Sequence, residues 1–330
     1  MEQTFENLLF PKKDRMKNAL GNVAHDKACG GLSGALLKTA RKLYPGFESV
    51  APESHVGMMS LLLPVGCNAN CPQYCYTGGK LARDGVNLDR ILELIDEFAK
   101  MGGKILRIVG DGEPTLYDGL LNICAKARGL GIDTIVFTNG IGILSEKVLQ
   151  EYEKGRLYFY VKMWSESQKK QTDMVRPKKG WAYEYHDGAV GSAPVPLYQL
   201  LDIDPARVGI QVMASSENEH DVRAMLSGLK KNLPILLERF IPAGSGKGRM
   251  DLMPTGGFPY SKACSHPPRG SYHAVVDSRG FLRPGIFVSK GAMDVRTSPL
   301  RDTWEEAFIS NPMFTASRYT EGCFCERFFL

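Results

Sequence analysis

The stretch PVGCNANCPQYCYTGGK, residues 64–80, sets Cys67, Cys71 and Cys75 within nine residues of a chain that holds eight cysteines in all. Thiolates are soft ligands that suit zinc, copper(I) and iron–sulfur clusters. Four local thiols close a structural metal site, whereas three leave a coordination position for something else. A cubane cluster takes one ligand per iron, so three thiols would keep one iron open to a substrate or cofactor. A zinc site completed by a distant His or Cys fits the same three residues, and the thiols by themselves leave both readings open. The glycines beside them, Gly78 and Gly79, can offer backbone N–H groups to a carboxylate or phosphate.

The elements that must position this loop follow from hydrophobic rhythm. Apolar runs of 7–10 residues occur at 57–65, 104–110, 133–140, 157–164, 208–215 and 235–244. Helix-like segments lie between most of them, such as NLDRILELIDEFAKMG at 87–102, with apolar residues three and four apart. Continuous apolar strands alternating with amphipathic helices predict a parallel sheet covered by helices. Six such units fall short of a closed eight-stranded barrel, so the expected fold is α/β, an open (β/α)6 partial barrel. Chemistry in parallel α/β folds sits at the C-terminal ends of the strands. That rule selects the cysteine loop, GDGEPTL at 110–116, TNG at 138–140, SES at 165–167, SSEN at 215–218 and PAGSGKGR at 242–249. The cysteines then open onto a mouth lined by Glu113, Asn139, Ser165 and Asn218, with Glu113 able to hold an ammonium group.

Cys67-x3-Cys71-x2-Tyr74-Cys75 followed one β/α unit later by GDGEP resembles the radical S-adenosylmethionine (SAM) enzymes, over roughly residues 56–245. The resemblance implies that Cys67, Cys71 and Cys75 bind a [4Fe-4S] cluster whose fourth iron takes the amine and carboxylate of SAM. Tyr74 would approach the adenine, and Gly112, Glu113 and Pro114 would hold the methionyl end. Asn139, Ser165 and Asn218 carry over by strand-end position alone, and 244–249 would run near the ribose and carboxylate of SAM. Two features depart from the family: the cysteine spacing is x3 then x3 where x3 then x2 is commonest, and Asp111 replaces the first glycine of GGEP.

A second cysteine group, Cys264, Cys323 and Cys325, brackets YHAVVD, an SRG turn and FLRP, which read as a β-hairpin, and a short helix around Trp304. This order resembles the twitch or SPASM extension of many radical SAM enzymes, a small α+β unit with auxiliary [4Fe-4S] clusters. Gly285 stands where that pattern has a cysteine, and the final pair is Cys-x-Cys where Cys-x2-Cys is usual. One auxiliary cluster on three cysteines is the economical reading, its fourth iron open or bound by a non-cysteine residue such as His266 or His273; the alternative is a related fold that has lost its cluster. The implied organisation is an N-terminal helical extension at 1–52, the partial barrel at 53–250 and the auxiliary-cluster domain at 251–330. Cys124, on the apolar face of a helix, is expected to be packing, and Cys29 is unassigned.

Composition is that of a globular protein, 43% hydrophobic and 23% charged, with a net charge of +5. That balance suits an anionic substrate but is not the basic stripe that announces nucleic acid. No stretch reaches the ~20 apolar residues of a membrane span, and the first residues lack the apolar run of a signal peptide. A cytoplasmic, reducing location is expected, in which cysteines serve as metal ligands or buried thiols. The polar segment 164–188 with Arg176, Lys178 and Lys179 either closes over an anionic small molecule or is a solvated face.

By resemblance, SAM is cleaved reductively to a 5′-deoxyadenosyl radical that abstracts hydrogen from substrate, with a flavodoxin or ferredoxin as reductant. A small-molecule substrate (sugar, nucleoside or amino-acid derivative) is expected, as in natural-product biosynthesis. The first 52 residues are too short and helical for the leader-binding domain of many peptide modifiers, which disfavours a ribosomally made peptide. A non-catalytic zinc or iron–sulfur protein is the third reading.

Overall fold

The computed structural model describes residues 56–72, 75, 84–188, 191–228, 233–240, 247, 249–254, 272–283 and 292–310. Tyr74, Cys264, His266, Gly285, Cys323, Cys325 and the expected N-terminal extension lie outside them, as does most of 242–249.

A nine-stranded sheet dominates, in the order β11-β10-β9-β1-β2-β3-β4-β7-β8. β1 (Val56–Leu63), β2 (Ile105–Gly110), β3 (Asp133–Thr138), β4 (Leu157–Met163), β7 (Val208–Ala214) and β8 (Ile235–Arg239) pair in parallel. These are the six apolar runs of the sequence, and they build the expected partial barrel. On the other flank of β1, β9 (Tyr272–Val276) adds a seventh parallel strand. β10 (Phe281–Arg283) and β11 (Met293–Asp294) then continue antiparallel. The C-terminal hairpin forms as its sequence predicts and extends the barrel sheet itself.

The helices are α1 (Leu88–Lys100), α2 (Leu120–Gly129), α3 (Glu146–Glu153), α4 (Gln168–Val175), α5 (Val195–Ile203), α6 (Glu219–Gly228) and α7 (Leu300–Ser310). α1 shows why they form. Asn87 caps it by accepting from Arg90 N at 2.8 Å, and Ile91, Leu94, Ile95 and Phe98 make one buried stripe. These side chains join the main core with Leu61, Leu106, Val136, Phe159 and Val161 from one face of the sheet. Cys124 of α2 is buried in this core, as expected.

The opposite face packs strand against strand among the described residues. Met58, Ile105, Ile135, Phe137, Tyr158, Tyr160 and Leu236 form a cluster drawn from strands alone. Since strand side chains alternate, the same inner face also receives Ser60, Arg107, Lys162, Gln211, Glu238 and His273. The segment between β4 and β7 holds α4, a hairpin of β5 (Tyr185–Gly188) and β6 (Gly191–Pro194), and α5. No helix among the described residues is long and apolar enough to cross a membrane.

Candidate active site

The cysteine loop leaves β1 and is held from three sides. Toward β2, Glu113 N donates to Gly66 O at 2.9 Å. A Cβ on Gly112 would stand 2.1 Å from Val65 O and 2.3 Å from Gly66 O, so only glycine lets the two backbones meet here. Toward β3, Asn139 Nδ2 donates to Asn68 Oδ1 at 2.7 Å and lies 3.7 Å from Cys67 Sγ. From the α4–β5 connection, Asn70 N donates to Val175 O and Arg176 O, and Lys178 N donates to Asn68 O. Ala69 and Pro177 form an isolated bridge beside these bonds. Arg176 turns the chain with a left-handed φ of 52°.

Glu113 is almost wholly buried, 2% exposed. It caps the 3-10 turn Pro114–Leu116 by accepting from Thr115 N at 3.2 Å, with Pro114 opening the turn. The same Oε1 accepts from Thr115 Oγ1 at 2.8 Å and Thr138 Oγ1 at 2.7 Å, while Oε2 accepts from Asn139 N at 2.8 Å. Burial pushes its pKa up, and these four bonds oppose that shift by stabilising the carboxylate.

The thiols share one electrostatic environment. Burial raises the Cys67 thiol, helped by the charges of Glu113 and Cys75, against Ala69 N–H and Lys178. Burial pushes Cys71 up to about 11, with Cys75 and Cys67 adding to the shift and Lys162 opposing it. Cys67 and Cys71, half-buried beside Cys75, hold their protons and would ionise once a cation arrives. Among the described residues, no three His, Cys, Asp or Glu side chains are grouped so as to hold a single metal ion.

The structure joins Cys67, Glu113 and Asn139 into one network. It sets Ser165 and Asn218 in another, at the ends of β4 and β7. Ser165 Oγ donates to Asp221 Oδ1 at 3.0 Å, and Asp221 is also paired with Lys170. Asn218 Oδ1 accepts from Ser215 N at 2.8 Å, while Nδ2 donates to Trp164 O and Met213 O. Arg176, Lys178 and Lys179 have exposed side chains.

Sequence reasoning passed over Asn68, Thr138 and Tyr183. Tyr183 Oη donates to Asn139 O and accepts from Gln171 Nε2, both at 3.0 Å, and burial holds its phenol well above the usual range. Asn68 and Thr138 sit inside the quoted motifs, yet small polar side chains carry no signal until their partners are known. Arg107 and Lys162 did leave one, as single charges in the apolar runs ILRIVG and LYFYVKMW.

Residues 61–183 match the family model described as the Radical SAM superfamily. Among solved structures, the chain resembles Streptococcus suis SuiB bound to S-adenosylmethionine, with a TM-score of 0.57 and 12% identity over 83% of this chain and 74% of that one. SuiB bound to its precursor peptide SuiA gives 0.58 and 12% over 89% and 75%. The enzyme anSMEcpe with bound AdoMet and Cp18Cys peptide gives 0.53 and 13% over 80% and 84%. At such identities the likeness is one of fold, and that shared fold is the partial barrel.

Proposed function

We propose that this chain is a radical SAM enzyme in which Cys67, Cys71 and Cys75 hold a [4Fe-4S] cluster and SAM completes its fourth iron. The observation that carries the reading is the network joining Cys67 to Glu113 through Asn139, where the loops after β1, β2 and β3 meet. The donor set fits the cluster: three soft thiols lie on one half-buried loop, with Lys178 favouring ionised Cys67 and Lys162 favouring ionised Cys71. When bound, cluster and SAM supply reductive cleavage of the sulfonium to a 5′-deoxyadenosyl radical, able to take hydrogen from an unreactive C–H bond.

The chain's own residues bind and orient. Glu113 Oε2 accepts one bond among the described residues, from Asn139 N, and its remaining lone pair serves the methionyl ammonium. Gly112 lets that carboxylate reach the cysteine loop, Pro114 fixes the turn beneath it, and Tyr74 takes the adenine. Asn139 bridges the first cysteine to β3. Ser165 and Asn218 border the site, and their part is to fix the ends of β4 and β7.

The substrate is a small molecule, a reading supported by the buried polar groups Ser60 and Arg107 on the inner face below the site. A peptide substrate is the second reading, favoured by the fold likeness to SuiB with SuiA and to anSMEcpe with its Cp18Cys peptide. An auxiliary cluster at Cys264, Cys323 and Cys325 rests on their sequence pattern, and a flavodoxin or ferredoxin supplies the electron.

The test is iron, sulfide and EPR on anaerobically reconstituted protein, with 5′-deoxyadenosine and methionine measured under dithionite. Wild type is expected to hold a [4Fe-4S] cluster and cleave SAM, and the Cys67/Cys71/Cys75→Ala variant to cleave none. A residual cluster in that variant would establish the auxiliary site. Stoichiometric zinc with SAM left intact would overturn the reading in favour of a non-catalytic metal protein.

A further inference from the structure

Arg107 is buried where a permanent charge is costly. It sits on the inner face of β2, in register with Ser60 of β1 and Ile135 of β3, and is 2% exposed. Its Nε and Nη1 are buried without a hydrogen-bond partner among the described residues. A guanidinium stays charged at any pH a protein survives. Removing such a charge from water costs several kcal/mol unless an anion and hydrogen bonds compensate it. Its observed neighbour is an aromatic face, with Cζ 4.9 Å from the centroid of Phe137, which stacks on Tyr160.

The side chain also has a direction. Arg107 pairs with Ile135, so Phe137 belongs to the next inward layer toward the strand ends. The guanidinium therefore climbs toward the mouth, from a Cα three residues, or about 10 Å, below the end of β2. Thr138 and Asn139, which bind Glu113, follow Phe137 directly. Among the described residues, the carboxylate on this face is that of Glu238 on β8, which accepts from Gln211 Nε2. Lys162 adds a second cation and lies over the Trp164 ring at 4.9 Å. Ser60 Oγ and His273 Nε2, on β1 and β9, are hydrogen-bonded to each other at 2.8 Å on the same face.

We propose that the partial barrel takes an anionic substrate and that Arg107 is the residue that receives its carboxylate or phosphate. The planar fork of arginine binds either group through two parallel N–H···O bonds. The anion would seat below the strand ends, leaving the rest of the molecule directed at the mouth. This rests on the reading of the site as that of a radical SAM enzyme and names the substrate class for it.

The experiment is calorimetric unfolding of the anaerobically reconstituted full chain, in inorganic phosphate, in acetate and in chloride, each at an ionic strength of about 0.1 M. In chloride, Arg107→Met is expected to have a Tm at or above that of wild type, because it removes an uncompensated buried charge. Phosphate or acetate is expected to raise the Tm of wild type and of Arg107→Lys, and to leave Arg107→Met unmoved. A response to phosphate alone identifies a phosphorylated substrate, and a response that includes acetate identifies a carboxylate. The proposal is overturned if Arg107→Met is less stable or fails to fold, if the anions protect it as much as wild type, or if neither protects wild type. SAM cleavage by wild type is measured separately: its absence removes the radical SAM reading and leaves the anion result standing.

Discussion

Both oxygens of the Glu113 carboxylate accept hydrogen bonds from the chain, and that fixes what a substitution does. In Glu113→Gln the amide N–H2 must face either Thr115 N–H or Asn139 N–H, donor against donor. A buried donor without an acceptor costs about 1–3 kcal/mol. We expect a Tm several degrees lower by calorimetry and SAM affinity reduced about tenfold or more, equivalent to ~1.4 kcal/mol. Thr138→Val removes one of the four bonds and is expected to cost about 1 kcal/mol. His273 gives a pH dependence. Burial, aided by the Arg107 guanidinium, pushes its pKa from 6.5 down to about 3. The unfolded chain therefore takes up a proton near 6.5 that the folded chain refuses until about 3. Stability is fully present above pH 6.5 and falls with pH below it, by up to about 1.4 kcal/mol per unit from this group. Urea unfolding between pH 7 and 5 should show that slope, and His273→Asn should flatten it. At this scale Glu113 was legible because a motif names it. Arg107 was visible only as an odd charge in an apolar run, while the cations singled out in the sequence lie exposed on the α4–β5 connection.

Elements meet at the site through backbone, so the contact between the loops after β1 and β2 depends on a missing side chain. Gly112→Ala places a carbon 2.1 Å from Val65 O, which no rotamer relieves. The loops must part and Glu113 N must leave Gly66 O. We expect a loss of about 2–3 kcal/mol together with lower iron content after reconstitution, whereas Gly129→Ala, with open space around its Cβ position, keeps its iron. Six parallel strands were legible because each is a continuous apolar run. The seventh, β9, was read only as half of a hairpin. Its local partner β10 is antiparallel and nearby, but its parallel partner β1 is more than 200 residues away, as Ser60 and His273 show with a separation of 213. Local periodicity reports that a strand exists and is silent on a distant neighbour.

Across the molecule, the C-terminal segment is stitched to the first helix of the barrel around Arg90 and Glu97. Arg90 of α1 donates from Nε to Val295 O and from Nη2 to Ser298 O, both at 2.8 Å, and pairs with Glu97 at 2.7 Å. Glu97 in turn accepts from Leu300 N at the start of α7. At the other end of the hairpin, the turn residue Ser278 donates to Asp111, in the loop that carries Glu113. Barrel and C-terminal segment should therefore unfold together. Arg90→Ala is expected to lower stability by about 2–3 kcal/mol, seen as a Tm drop of several degrees. It should leave a single calorimetric transition, whereas two resolved transitions would show that the segments fold apart.

The pairing of β1 with β9 also sets a timetable. Ribosomes add roughly 5–20 residues per second, so the 213 residues between Ser60 and His273 take roughly 10–40 s to appear at that rate. Throughout that interval one edge of β1 has no strand to pair with, in a run of eight buried apolar and small residues. An open, flat, apolar edge is a template for pairing with other nascent chains. The strand that carries the cysteine loop is thus among the first made and the last to be enclosed, and the yield of intact protein should rise when synthesis is slowed by cold or when chaperones that cover apolar strands are abundant.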